Sequence, residues 1–171
     1  MKAANANPAL PPTRIIPPPP PGHSWESLMQ EAIAEAHLAR DASEVPVGAL
    51  VVSSDGIILA RAGNAAERLC DPTAHAEILA LRTATQAVGN CRLEGCILLA
   101  TLEPCLMCAG ALVHARMAGL VYGAIDPKAG AISSRLDGLE LSFLNHRVWH
   151  MGGVSEDKCA ELLRDFFEQR R

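Results

Sequence analysis

The chain has 171 residues, enough for one domain around one core and short for two. Its 49% hydrophobic and 20% charged content fits a soluble globular protein, and no apolar run approaches the roughly 20 residues that span a bilayer. The net charge of -4 is not that of a globally basic nucleic-acid binder, so any RNA would have to be held by a local basic stripe.

Residues 1–22 hold eight of the 12 prolines and end in Pro17-Pro18-Pro19-Pro20-Pro21-Gly22, a composition that predicts an extended, disordered tail. The folded domain is expected over 23–171. Ser24 is a plausible N-cap, and Trp25, Leu28, Met29, Ala32, Ile33 and Ala36 recur at helical spacing, predicting a helix to about Arg40. Val47 to Val52 and Ile57 to Ala62 flank Ser53-Ser54-Asp55-Gly56 and read as a hairpin. A helix is expected from Ala74 to about Ala87, a buried strand over Ile97 to Thr101, a helix over Cys105 to Ala115, and a strand over Leu120 to Ala124. A polar, glycine-containing loop follows from Asp126 to about Ser142. A short strand near Val148 and a helix from Glu156 to about Arg170 close the chain. Strands alternating with helices after an opening hairpin predict an α/β fold, a mixed sheet with helices on both faces.

Six cysteines (70, 91, 96, 105, 108 and 159) are present, and nothing at the N-terminus resembles an export signal. In the reducing cytoplasm, where the chain is expected, clustered cysteines point to metal or catalysis rather than to bridges. Two segments carry that chemistry: His75-Ala76-Glu77 and Pro104-Cys105-Leu106-Met107-Cys108. His75, Cys105 and Cys108 supply one nitrogen and two sulfur donors, the set a catalytic zinc uses when its fourth position is left to water. The cysteines sit three apart at an expected helix start, where free amides and the helix dipole favour thiolates. Pro104 stands where a missing N–H costs nothing. Glu77, two residues from one ligand, can reach the bound water without coordinating the ion and act as the proton carrier. A structural site is the alternative, with Cys70, Cys91 or Cys96 as a fourth ligand.

His75-x-Glu77 followed by Pro104-Cys105-x-x-Cys108 resembles the signature of the zinc nucleobase deaminases, of which the tRNA adenosine deaminases are one branch. The resemblance runs from about Trp25 to Arg171. Glu44-Val45-Pro46-Val47-Gly48-Ala49, Asp71 to Ile78, Thr101 to Ala111, Asp126 to Ala131, Leu144 to Val148 and Asp165-Phe166-Phe167 all carry it. It implies a cytidine deaminase-like fold of three α/β/α layers around a mixed five-stranded sheet. It also implies one zinc per subunit on His75, Cys105 and Cys108, with Glu77 as proton shuttle. The implied reaction converts adenosine to inosine at the tRNA wobble position, with the anticodon arm as partner, no DNA, and a homodimer. Asn64, Ala76, Asp126, Lys128 and Phe167 match positions that face the substrate. From the residues alone, Asn64 could equally be a turn residue, the 126–128 segment a solvated loop, and either phenylalanine core. The chain departs from its relatives in carrying Glu168 directly after the Phe-Phe pair, where a basic residue is common, and Arg61, Arg68 and Arg82 are the candidates to compensate. Deamination of free guanine or cytosine by the same chemistry, and a non-catalytic zinc-stabilised RNA-binding module, are the alternative functions.

Overall fold

The computed structural model describes residues 16–170. In chain order the elements are α1 (Trp25–Asp41), β1 (Gly48–Val52), β2 (Ile58–Gly63), α2 (Ala66–Leu69), α3 (Ala76–Val88), β3 (Ile97–Leu102), α4 (Leu106–His114), β4 (Gly119–Ala124), β5 (Trp149–Met151) and α5 (Glu156–Glu168). The strands form one sheet ordered β2-β1-β3-β4-β5. β1 runs antiparallel to both β2 and β3, whereas β3, β4 and β5 are mutually parallel, giving the expected mixed five-stranded sheet.

Side chains alternate across a strand, and here both faces are covered, so the central strands are apolar throughout rather than at every second position. Leu50, Val52, Ile97, Leu99 and Val121 pack with α1 and α5 on one side. Ala49, Val51, Leu98, Ala100, Leu120 and Tyr122 pack with α3 and α4 on the other. The result is three layers, each large aliphatic side chain contributing about 1.5–3 kcal/mol by leaving water. Helix α1 begins at Ser24, whose hydroxyl accepts the Ser27 N–H at 3.0 Å while the Ser27 hydroxyl accepts the Ser24 N–H at 2.9 Å. It crosses β1 so closely that a Cβ on Gly48 would lie 2.0 Å from the Ala32 carbonyl oxygen. No helix among the described residues is long and apolar enough to cross a membrane.

Three regions differ from the sequence reading. Most of the proline-rich tail, residues 1–15, lies outside the described residues, but packing reaches back past the boundary expected at residue 22. Pro20 is buried, and the His23 ring donates from Nε2 to the Gly56 carbonyl at 2.9 Å. Gly56, at φ +84°, leaves room for the Pro21 carbonyl, which a Cβ there would approach to 2.3 Å. The four-residue helix α2 stands where no element was expected. The segment after Asp126 is not simply solvated either: Ala131, Ile132 and Leu139 are buried within it.

Candidate active site

Helices α3 and α4 start side by side, and the chain places a metal-ligand type at each N-cap. His75 caps α3 and Cys105 caps α4, both with extended backbone and neither with an oxygen to cap its helix. An Asx turn leads into His75, where the Asp71 carboxylate accepts the Thr73 N–H at 2.8 Å and the His75 N–H donates to the Thr73 carbonyl at 2.8 Å. Cys108 is one turn into α4 and fully buried. The uncapped side chains meet instead: His75 Nδ1 lies 3.6 Å from each sulfur, and the two sulfurs lie 3.7 Å apart.

Those three lengths have a physical meaning. Bonds of about 2.3 Å to sulfur and about 2.05 Å to nitrogen, spread tetrahedrally, put two sulfurs about 3.8 Å apart and sulfur and nitrogen about 3.6 Å apart. The triangle therefore has the size that one tetrahedral cation imposes, and this set can hold a metal ion. A disulfide needs sulfurs about 2.05 Å apart, and all six cysteines are free. Among the described residues, His75, Cys105 and Cys108 are the one such group, so Cys70, Cys91 and Cys96 do not complete it. Three donors, not four, occupy the corners. Without a cation the groups share protons. The Cys108 thiol, hydrogen-bonded to Cys105, pulls the Cys105 sulfur down to about 4 against the opposing effect of burial, with His75 assisting. The same bond, together with burial, pushes Cys108 up.

Beside the triangle is a cavity of ≈ 270 Å³, at the small end of ligand sites, which run from about 300 to 1,000 Å³. His75, Cys105 and Glu77 form its floor, and Val45, Val47 and Leu102 its apolar wall. Glu77, in the first turn of α3, is 4% exposed, and burial pushes its carboxyl upward while its own main-chain N–H and the nearby His75 oppose the shift. Asn64 lines the cavity from the end of β2, as expected, and Asp126 lines it from the loop after β4. The Asp126 side chain is occupied in that loop, accepting the Lys128 and Ala129 N–H groups at 2.9 and 3.2 Å. Ala76 is placed differently. Its methyl group is buried in the core and does not line the cavity, so the position offers its first-turn main-chain N–H instead.

Two buried carboxylates, not singled out by sequence reasoning, hold the walls. Glu103, 2% exposed at the end of β3, accepts the N–H groups of Asp126, Ile132, Ser133 and Ser134 at 3.0, 3.0, 2.7 and 2.9 Å, and the Ser134 hydroxyl as well. Burial would raise its pKa, but the Ser133 and Ser134 bonds outweigh it and bring the carboxyl down to about 2. Gly130 makes room, since a Cβ there would lie 2.3 Å from the carboxylate. Glu44, 1% exposed, accepts Asn64 Nδ2 at 3.2 Å and the Glu67 and Arg68 N–H groups at 3.3 and 2.7 Å, so it fixes both Asn64 and the start of α2. The sequence signal available was a Glu immediately before each motif, Glu44-Val-Pro and Glu103-Pro-Cys.

The cavity opens into a groove of ≈ 590 Å³ between the 125–129 loop and α5, sharing Val45, Leu102, Asp126 and Ala129 with it. Lys128, Arg164 and Phe167 line the groove, and so does Glu168. Of the Phe-Phe pair, Phe166 is core and Phe167 is 50% exposed. Arg170 stacks over the Phe166 ring at 4.0 Å and donates to the Ser43 carbonyl at 2.7 Å, while Arg171 lies outside the described residues. Of the compensating arginines, Arg61 pairs with Glu31 at 2.9 Å and Arg82 with Asp71 at 3.6 Å. Arg68, exposed on α2 next to the cavity-lining Glu67, has no such ion pair among the described residues.

Residues 23–171 match the family model of MafB19-like deaminases. The tRNA-specific adenosine deaminase of Agrobacterium fabrum is 45% identical over 84% of this chain and 94% of its own length. Its Bacillus subtilis counterpart is 44% identical over 85% and 90%. A structure solved in a study of A-to-I editing by tRNA:A34 deaminases superposes with a TM-score of 0.78 at 44% identity, covering 80% of this chain and 99% of that one. A triangle of metal-ligand atoms, a buried carboxylate beside it and identity at this level over more than four-fifths of the chain agree: the chain belongs to the MafB19-like deaminase family, in the branch of the tRNA-specific adenosine deaminases.

Proposed function

We propose that this chain hydrolyses adenosine to inosine at the wobble position of a tRNA anticodon, with one zinc ion per subunit on His75, Cys105 and Cys108. The observation that carries the reading is the triangle of 3.6, 3.6 and 3.7 Å with Glu77 next to it in a base-sized cavity. When bound, zinc supplies a water of lowered pKa at the corner the protein leaves open. Glu77 takes a proton from the attacking water and hands it to the ring nitrogen, then takes the proton of the hydroxyl now on the ring carbon and gives it to the departing amine, so adenosine and water leave as inosine and ammonia. Its burial keeps bulk water from competing for that proton. Asn64 holds the base edge, the Ala76 N–H and the apolar wall position the ring, and the Asp126–Lys128 turn meets the nucleotides alongside.

The open groove supports a polynucleotide over a free base, because a free base would be better served by a closed pocket. Lys128 and Arg164 in the groove, with the exposed Arg68 on α2, supply the local cations that a chain of net charge -4 needs for a tRNA anticodon arm. Phe167 offers a stacking face between them. A homodimer goes with the same reading: Leu106 and Met107 on α4 are 58% and 37% exposed, apolar side chains suited to cover by a second copy. Six free cysteines suit the cytoplasm, where tRNA is.

The test is inosine formation on an anticodon stem-loop with adenosine at the wobble position, run against ammonia release from free guanine and cytosine. Turnover of the stem-loop that falls steeply with salt supports the reading. Turnover confined to the free bases moves the chain to the alternative substrate class. Glu77→Ala that keeps metal and RNA affinity but loses turnover separates a catalyst from a zinc-stabilised binding module.

A further inference from the structure

We propose that Glu44 is a positioning residue that sets which way the Asn64 amide faces the cavity, and thereby which base edge the site accepts. The inference rests on the deaminase reading above and deepens it. A carboxylate has no hydrogen to give, so the end of the Asn64 amide 3.2 Å from Glu44 is the nitrogen. All three groups that face Glu44 are donors, and the other two, the Glu67 and Arg68 N–H groups, are main-chain and cannot turn round. Asn64 is itself anchored by its main-chain N–H on the Val47 carbonyl at 2.9 Å, so the one freedom left to it is rotation of the amide. With one Nδ2 hydrogen committed to Glu44, Asn64 is left with an acceptor oxygen and a single N–H to offer a ligand. An acceptor beside a donor is what an amide uses to pair with the amino group and ring nitrogen of adenine. Turned over, the same amide offers the two groups in the opposite order.

The substitution Glu44→Gln reverses this logic at nearly constant shape. The new side chain has one acceptor, and the Arg68 N–H, at 2.7 Å the shortest of the three bonds, claims it. Its NH₂ then meets both the Asn64 NH₂ and the Glu67 N–H; the first clash is relieved when Asn64 turns its oxygen toward position 44, and the second is common to E44Q and the double variant. Asn64→Asp fails for the opposite reason, since it sets two carboxylates against each other. Combined, Glu44→Gln and Asn64→Asp restore a matched pair. The glutamine then donates to one oxygen of the new carboxylate, and the other oxygen again serves as acceptor in the cavity, while the N–H that Asn64 offers the ring nitrogen is absent.

The experiment measures kcat/KM on the adenosine stem-loop, together with Tm and bound metal, for wild type, E44Q, N64D and the double variant. Each single change is expected to lower kcat/KM about tenfold or more with metal retained, and the pair to exceed both single variants severalfold while staying below wild type, since only the acceptor is restored. Recovery in the pair independent of Tm marks the amide orientation, whereas a Glu44 that only braces α2 makes kcat/KM follow Tm across all the variants. Wild-type kcat/KM in E44Q, or a pair no better than the weaker single variant, overturns the assignment. Should E44Q alone fail to fold, the double variant against N64D carries the same comparison. Failure of the wild-type chain to form inosine is a different result, and it strikes the deaminase reading itself.

Discussion

Glu103→Gln removes one charge from the wall of the cavity and tests whether that carboxylate holds the loop. The glutamine keeps an oxygen for the Ile132, Ser133 and Ser134 N–H groups but turns an NH₂ toward the Asp126 N–H and the Ser134 hydroxyl. The carboxyl is lowered from 4.5 to about 2, roughly 2.5 pH units, which at about 1.36 kcal/mol each gives about 3 kcal/mol of coupling between the charge and its donors. In a domain of this size that corresponds to a fall in Tm of roughly 6–12 °C at pH 7. The sign with pH follows from a depressed folded-state pKa. The stabilisation is complete above the unfolded value of 4.5 and is lost as pH falls toward about 2, so the Tm gap between wild type and variant narrows over that window. Protons also compete for the Cys ligands in acid, but equally in both proteins, so the difference isolates Glu103. Turnover falls as well, because Asp126 and Ala129 line the cavity from the tethered loop. Thermal melts at several pH values and hydrogen exchange at Ser133 and Ser134 provide the measurements. A Tm within about 2 °C of wild type at neutral pH refutes the tether, since it leaves less than about 1 kcal/mol for the charge.

Cys108→Ser takes one donor from the triangle, and metal analysis is expected to fall from one ion per chain to well below half, with inosine formation lost alongside. Lys128→Ala and Arg164→Ala, read as the slope of log affinity against log salt for the stem-loop, are expected to flatten it by about 1 each with folding unchanged. Gly56→Ala places a Cβ 2.3 Å from the Pro21 carbonyl at a positive φ, and a loss of about 1–3 kcal/mol by urea denaturation is expected, with activity intact once folded.

Much of this arrangement is legible in the residues. The spacing of Leu28, Met29, Ala32, Ile33 and Ala36 defines α1, and its capping serine stands where the pattern places it. The apolar runs at Val47–Val52 and Ile97–Thr101 mark strands covered on both faces. The three metal-ligand types stand out by their order and spacing, and the structure brings them to one point. Both ligand helices begin one or two residues later than periodicity suggests, because His75 and Cys105 are N-caps of types that rarely cap. Helix α2 has four residues, too few for a period to register. Glu44 and Glu103 escape notice because a carboxylate reads as surface until the donors that surround it are known, and those lie 20 to 31 residues away in sequence. Asp126 to Ser142 reads only as a polar loop because its polar residues outnumber Ile132 and Leu139, which are pulled inward where Glu103 gathers the main chain.

The two helix starts at the metal centre carry a further consequence for anyone wishing to make this protein more robust. Serine or aspartate at positions 75 and 105 would cap helices that His75 leaves uncapped and Cys105 meets only with a weakly accepting sulfur, for a gain of about 1 kcal/mol each. A survey of weak points that considers stability alone therefore picks out these two positions. Either exchange would give a firmer protein with no place for its ion, so the fold is held below its attainable robustness by the chemistry it houses.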